Sequence, residues 1–200
     1  LTKEKIDWLA ESGCNYMGFA IETGVERISK ELIAGKPLRK EHSIEMMKYA
    51  QSKGIFCSSN FIIGFPTETW DEIRETLDFA ENLNSDYIRI FNLVPLKQTE
   101  LWEICEKENA FIDGYSHFNL DASWNAAKVQ SPEFSANDLT VLRTFEWDRI
   151  NFSDPSKRAK TADRLGKSLE ELSSMRKETI DNMYRKIDVS RETYGEHVLR

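Results

Sequence analysis

Two short apolar runs end in groups able to hold a polar ligand. Residues 17–24 read MGFAIETG and residues 60–69 read NFIIGFPTET, so each run gives way to a carboxylate, a glycine and small hydroxyl residues. A carboxylate at such a point accepts hydrogen bonds from ligand hydroxyls or an ammonium group, and Glu22 is the first residue marked for that work. Its plainer role is to sit near the positive end of the following helix dipole. Thr23 adds a hydroxyl, and Gly24 permits a tight turn or a close approach. In the second run Ser58, Ser59 and Asn60 interrupt a segment otherwise fit for burial. Buried polar groups need partners, either from neighbouring strands or from a ligand. Gly64 removes a side chain where another group passes close, and a flat ring suits the space before Phe65 and Pro66. Glu68 reads as part of the turn that follows. A third run, 86–93, carries Arg89 and Asn92, with Pro95 just beyond; Arg89 is either turned into the sheet's interior face or an ion-pair partner.

These residues depend on the elements around them. Apolar spacing predicts a helix over 3–12 with Ile6, Leu9 and Ala10 inward, a strand over 16–21, and a helix over 25–34 closed by Gly35 and Pro37. A helix over 40–53 follows with Ile44, Met47 and either Ala50 or Met46 on its inner face, then a strand over 55–65. Thr69 and Glu72 form a capping box for a helix over 70–83, and the strand over 86–93 comes next. Strands alternating with helices describe an α/β fold whose parallel strands aim their carboxyl ends at a site.

After residue 110 the pattern changes, dividing the chain into 1–110 and a helical extension, 111–200. Residues 111–133 show no clear period. Ser135 with Asp138, Asp154 with Pro155, and Ser168 with Glu171 start helices ending near 150, 166 and 187. Phe134, Leu139, Leu142, Phe145 and Trp147 are apolar enough to lie on the sheet, which makes the extension a structural cover. Trp124, Phe145 and Trp147 are the residues that would line a substrate surface instead.

Composition narrows the function. A formal net charge of −7 argues against a nucleic-acid surface, which needs clustered Lys and Arg. The run Lys157, Arg158, Lys160 and Arg164 reads as a solvated helix face. Cys14, Cys57 and Cys105 stand singly, as suits a reducing cytoplasm better than a disulfide scaffold. No apolar stretch approaches the about 20 residues of a membrane span. His42, His117 and His197 share no metal-ligand spacing with each other or with a cysteine, and there is no Gly-rich phosphate loop or nucleophile elbow. The first residue is Leu, and 1–12 already reads as a helix nearing its end, so the chain is expected to be part of a longer polypeptide.

Taken in order, MGFAIETGVERIS, GKPLRKEH, KGIFCSSNFIIGFPTETWDEI and DYIRIFNLVPLKQTELW resemble the carboxyl-terminal half of the radical S-adenosylmethionine enzyme core. Within that superfamily they are most similar to the branch of cobalamin-binding radical enzymes and tRNA methylthiotransferases. The resemblance implies strands four to six of a partial (β/α)6 TIM-like barrel, followed by the all-helical extension. It implies S-adenosylmethionine as cofactor, with Glu22 and Thr23 at its ribose or amino-acid part. The backbone near Ile62, Gly64 and Phe65, within Asn60 to Glu68, would lie against the adenine, and Asn92 to Pro95 beside the same ring. Thr23 replaces the usual Ser, and Lys97-Gln98 replaces a common Pro-Gly before Thr99.

The family's three-cysteine motif is absent, so the ligands of the 4Fe-4S cluster are expected outside this chain, in the amino-terminal half of the same protein. The branch adds cobalamin as a candidate cofactor. The implied activity is cleavage of S-adenosylmethionine at the cluster to a 5'-deoxyadenosyl radical, which abstracts hydrogen from a small-molecule or macromolecular substrate that the sequence does not identify. This portion alone would be inactive. The competing readings are a barrel lyase or aldolase, for which no strand-end lysine or metal ligands are found, and a degenerate barrel serving as a non-enzymatic interaction module. A half-barrel would also leave the strand over 16–21 unpaired on one side, an edge open to association.

Overall fold

The structure, a computed structural model, describes residues 1–33, 35–115 and 126–187. Helix α1 (Lys3–Glu11) leads through Gly13, at φ 87°, into β1 (Tyr16–Glu22). Then follow α2 (Glu26–Glu31), α3 (Lys40–Ser52), β2 (Phe56–Ile63), α4 (Trp70–Leu83), β3 (Tyr87–Asn92) and α5 (Glu100–Lys107). The extension contributes α6 (Ala136–Phe152), α7 (Pro155–Leu165) and α8 (Leu169–Lys186). The expected capping boxes at Thr69, Ser135 and Ser168 are all formed, and Asp154 with Pro155 opens α7.

Among the described residues the strands form one parallel sheet in the order β1-β2-β3. Ala20, Asn60 and Arg89 stand in one row across it, and Gly18, Ser58 and Tyr87 in the row before. Side chains alternate between faces. Cys57, Phe61, Ile63, Ile88 and Ile90 therefore join one core with Met46, Met47, Ala50, Ile73, Leu77, Leu139, Leu142 and Ile150. The other face carries Tyr16, Gly18, Ala20, Ser58, Asn60 and Arg89. Helix α6 packs on β3 and shares the core, with Phe134, Leu139, Leu142 and Trp147 buried as expected for a cover.

The two outer strands of the sheet differ. On β3, the side chain of Asn151 in α6 accepts from Ile88 N at 2.7 Å and donates to Ile88 O at 3.0 Å, while Arg143 Nε donates to Ile90 O at 2.7 Å. Helix side chains thus take the hydrogen bonds a further strand would make. On β1 the expected free edge is present, touched by Lys36, whose Nζ donates to Ala20 O.

Three expectations change. Leu9 lies on the outer side of α1 at 37% exposure, so α1 anchors through Ile6 alone among its fully buried residues. The helix expected over 25–34 is the single-turn-and-a-half α2, which has no side-chain cap at Val25; residue 34 lies outside the described residues. The basic face of α7 is not merely solvated. Lys160 pairs with Asp86 at 2.5 Å, and the Arg164 guanidinium lies over the rings of Tyr16 and Phe56 at 5.4 and 5.6 Å, closing the amino end of the sheet. His117, Trp124 and His197 lie outside the described residues.

Gly24 is where α4 meets the end of β1. A Cβ there would stand 2.8 Å from Thr76 Cα and 2.9 Å from Glu75 O, so the close approach is by the chain's own helix backbone. Gly24→Ala should lower unfolding stability by on the order of 2 kcal/mol, an overpacking cost, in a urea titration. A change below about 0.5 kcal/mol, the scatter of neutral surface substitutions, would show that α4 is not held by this contact.

Candidate functional site

The carboxyl ends of β1, β2 and β3 gather the marked residues, but their side chains divide into two sets. Between Ala20 and Glu22 the register of β1 against β2 slips by one residue, and Glu22 then takes φ 76°. A bulge followed by a left-handed residue other than glycine re-aims the chain and is costly unless its surroundings enforce it. Glu22 stays half-exposed, and its carboxylate makes no hydrogen bond or ion pair among the described residues. It does not cap α2, whose N-cap is Val25. Asn60 is half-buried, yet its Oδ1 is buried without a hydrogen-bond partner. Ile62 is half-buried on the same face as Asn60. Glu22, Ile62 and the exposed part of the Asn60 side chain are what a ligand can reach.

The remaining marked residues build the frame beneath. Thr23 is fully buried; its hydroxyl meets Thr76 Oγ1 at 3.2 Å and accepts from Val25 N at 3.1 Å, while Gly24 N donates to Thr76 Oγ1 at 3.1 Å. Gly64, at φ 88°, has Leu139 Cδ1 of α6 only 2.5 Å from where a Cβ would stand. The group passing close to that glycine on its Cβ side is therefore the chain's own leucine. Phe65 is 1% exposed in a second apolar cluster with Val25, Ile28, Leu93, Cys105 and Val129. Asn92 is buried, and so is Pro95, whose carbonyl accepts from Tyr115 OH at 3.4 Å.

Glu68 is more than a turn residue. It is fully buried, and its Oε2 accepts from Gly64 N at 2.7 Å and Phe65 N at 3.1 Å, two donors released where β2 leaves the sheet. Burial pushes its carboxyl up to about 8, against the opposing pull of those two N–H groups. Beside it Arg27 of α2 reaches across. It grips Glu72 through Nε and Nη2, both at 2.7 Å, and donates to Thr67 O at 2.9 Å. The loop after β1 is thereby tied to the loop after β2. Nothing in the spacing of Arg27 or Glu68 distinguishes them from ordinary surface charges; the one available signal was a glutamate four residues after a strand-end glycine.

The open sheet face carries a polar network. Tyr16 OH lies 2.6 Å from Ser58 Oγ, and Arg89 Nη1 donates to Tyr16 OH at 3.2 Å. Burial would raise the Tyr16 phenol, but the Ser58 hydrogen bond and the Arg89 guanidinium together draw it down. Arg89 is thus on the open face and over the Tyr87 ring at 5.6 Å, with no carboxylate partner among the described residues. Ser59 points the other way, to Ser85 Oγ at 2.7 Å.

The donor set does not fit an iron-sulfur cluster. Cys57 lies in the main core and Cys105 in the second cluster, and burial pushes their thiols up to about 12 and about 11, away from the thiolate a metal needs. Cys14 stands apart before β1, and no group of three or more His, Cys, Asp or Glu is arranged for a metal ion among the described residues. The strand ends do fit a nucleotide-like organic ligand in one respect, because Asn60 Oδ1 is an unsatisfied acceptor and the Glu22 carboxylate is half-exposed beside no protein donor among the described residues.

Residues 1–80 match the family model described as Radical SAM superfamily. The chain is 36% identical over 119 residues to cytidylyl-2-hydroxyethylphosphonate methyltransferase of Streptomyces wedmorensis, covering 56% of this chain and 22% of that protein. It is 29% identical to tRNA-2-methylthio-N(6)-dimethylallyladenosine synthase of Thermotoga petrophila, covering 42% and 19%. Among solved structures it is similar to coproporphyrinogen III oxidase of Escherichia coli, a radical SAM enzyme, with TM-score 0.45 and 20% identity over 48% of this chain and 22% of that one. The chain spans about a fifth of the length of the curated relatives it matches.

The buried Glu68 carboxyl gives a pH test. Its folded value near 8 stands above the ordinary 4.5, so the native state keeps a proton that the unfolded chain releases as pH rises. Its contribution is full below about pH 4.5 and drains away through about pH 8. Glu68→Gln imitates the protonated form, so variant and parent should be equally stable near the lower limit. Near the upper one the variant should be ahead by on the order of 3 kcal/mol. Parallel stability curves across that window would rule out a buried, proton-retaining Glu68.

Proposed function

We propose that this chain, whose residues 1–80 are Radical SAM superfamily sequence, supplies the cofactor cradle of a radical S-adenosylmethionine enzyme of the methyl- or methylthio-transferring kind. In this reading the sheet is the part of a (β/α)6 barrel formed by its fourth to sixth strands, with α6 to α8 as the appended cover. The observation that carries it is the coincidence of the family match with Glu22 at a left-handed bulge and the unsatisfied Asn60 Oδ1, both toward the carboxyl end of a parallel sheet. Ligands gather at that end of parallel sheets because loops and side chains there are free of the ladder.

Bound at a reduced 4Fe-4S cluster, S-adenosylmethionine supplies a hydrogen-abstracting carbon radical. The residues of this chain hold rather than react. Glu22 accepts hydrogen bonds from the ribose or ammonium group, and the exposed part of the Asn60 amide meets a second ligand group. Ile62 and the backbone of Gly64 and Phe65, fixed by Glu68, offer a surface for the adenine. Asn92 and Pro95, buried beneath, set the third strand end, and Thr23 holds the first through Thr76. The cluster's cysteines belong to residues outside this chain, as does any cobalamin domain, and the substrate is small-molecule or macromolecular. The free thiols suit a reducing cytoplasm, and among the described residues no helix is long and apolar enough to cross a membrane. No observation in the fold or among the relatives favours the interaction-module reading.

The test is calorimetric binding of S-adenosylmethionine to the cluster-loaded, full-length protein and to its Glu22→Gln and Asn60→Leu variants. Each substitution should weaken binding by about tenfold, the worth of one hydrogen bond to a charged or buried partner. Unchanged affinity in both, with the proteins equally folded, would remove the ligand from these strand ends.

A further inference from the structure

Away from the strand ends, α6 and α8 enclose a cavity of about 60 Å³ lined by Arg143, Thr144, Thr179, Asn182, Met183 and Lys186. Arg143 is 8% exposed, and its Nη1 is buried with no hydrogen-bond partner. Its Nε is spent on Ile90 O, and the Trp147 ring lies 5.8 Å from the guanidinium carbon. No carboxylate pairs with it among the described residues. Burial draws its pKa down to about 10, with only the Tyr87 phenol opposing, so it keeps its charge at neutral pH. A buried cation without a counter-charge is among the costliest arrangements in a protein. Arg143 lines the cavity, with Lys186 a second cation on the rim and Asn182 an amide donor.

We propose that this cavity is a small-anion site, taking chloride or a single inorganic oxyanion such as phosphate, held by the Arg143 guanidinium with Asn182 and Lys186. A cavity of about 60 Å³ has room for such an ion. Water alone would hydrogen-bond the guanidinium but leave its charge uncompensated. The anion would bind α8 to α6 and, through Arg143 Nε on Ile90 O, both helices to the outer strand of the sheet. Its occupancy therefore bears on how firmly the helical cover is fixed, independently of what the strand ends bind.

The experiment uses the full-length protein in sodium gluconate, sodium chloride and sodium phosphate buffers matched in ionic strength, with thermal unfolding as the readout. Chloride or phosphate should raise Tm by about 2–4 °C over gluconate. A rise with phosphate alone identifies an oxyanion site and a rise with chloride a halide site. The doubly substituted Asn182→Ala, Lys186→Ala protein, which leaves Arg143 and its bond to Ile90 in place, should lose at least half of that rise while keeping its Tm in gluconate. Crystals soaked in bromide should show anomalous density in the cavity if chloride is the ligand. Equal Tm in all three buffers, or a rise that the double variant retains in full, would overturn the site, as would a cavity shown to contain only water.

Discussion

The turn that carries the chain out of β2 rests on one buried carboxyl. Where a parallel strand leaves its sheet, N–H groups that faced a ladder partner lose it, and in a buried turn water does not replace it. Glu68 supplies that replacement for two successive residues, Gly64 and Phe65, through a single oxygen. The desolvation of the carboxyl outweighs both hydrogen bonds, which is why its proton is held to near neutral pH rather than lost. The turn is consequently braced by a group that is largely uncharged, and the backbone of 64–65 is fixed in a low-dielectric setting. Arg27 extends the brace sideways to Thr67 and Glu72, so the ends of β1 and β2 move as one unit. Any ligand spanning Glu22 and Asn60 needs that mutual registration more than it needs either side chain.

How much of this is legible in the sequence follows from how local each interaction is. Capping boxes at Thr69, Ser135 and Ser168 involve residues three apart, and all three helices begin where those pairs place them. The strands are legible for the same reason, since alternation and terminating Gly or Pro are written in adjacent residues. The glycines show the limit. Gly24 is expected to admit a ligand and Gly64 a flat ring, but what approaches is α4 in one case and Leu139 in the other, partners 52 and 75 residues away by position. Glu68 and Arg27 are missed because their burial and pairing depend on the packing of α2 and α6, which no spacing records. Ser58 and Ser59, identical as letters, are sent to opposite faces by the pleat, one to Tyr16 and one to Ser85.

The helical cover does chemical work on the sheet as well as burying apolar surface. Asn151 meets both the N–H and the carbonyl of Ile88, and Arg143 takes the carbonyl of Ile90. An amide side chain reproduces the donor and acceptor of a neighbouring strand at one residue, and a guanidinium supplies the next donor. This settles the polar groups of the β3 edge in the only way available when a helix rather than a strand lies alongside. It also explains why α6 is buried on nearly every side despite its polar residues: Asn151, Thr140, Thr144 and Arg143 Nε meet backbone carbonyls, and Glu146 pairs with Arg149.

An asymmetry follows for the sheet as a whole. Beyond β3 the hydrogen-bonding positions at Ile88 and Ile90 are taken, and a strand added there would have to displace Asn151 and Arg143 from a packed core. Beyond β1, among the described residues, Ala20 O is met by the Lys36 ammonium, on a long flexible side chain whose withdrawal costs little beside a full ladder. Growth of the sheet is therefore directed to the β1 side. The open face, with Tyr16, Ser58, Asn60 and Arg89, would then become enclosed rather than covered by helices, since α3, α4 and α6 already occupy the opposite face. The amino end of the sheet is stoppered by Arg164 and Lys160 of α7, so a ligand has the carboxyl end, with Glu22 and Asn60, left to it.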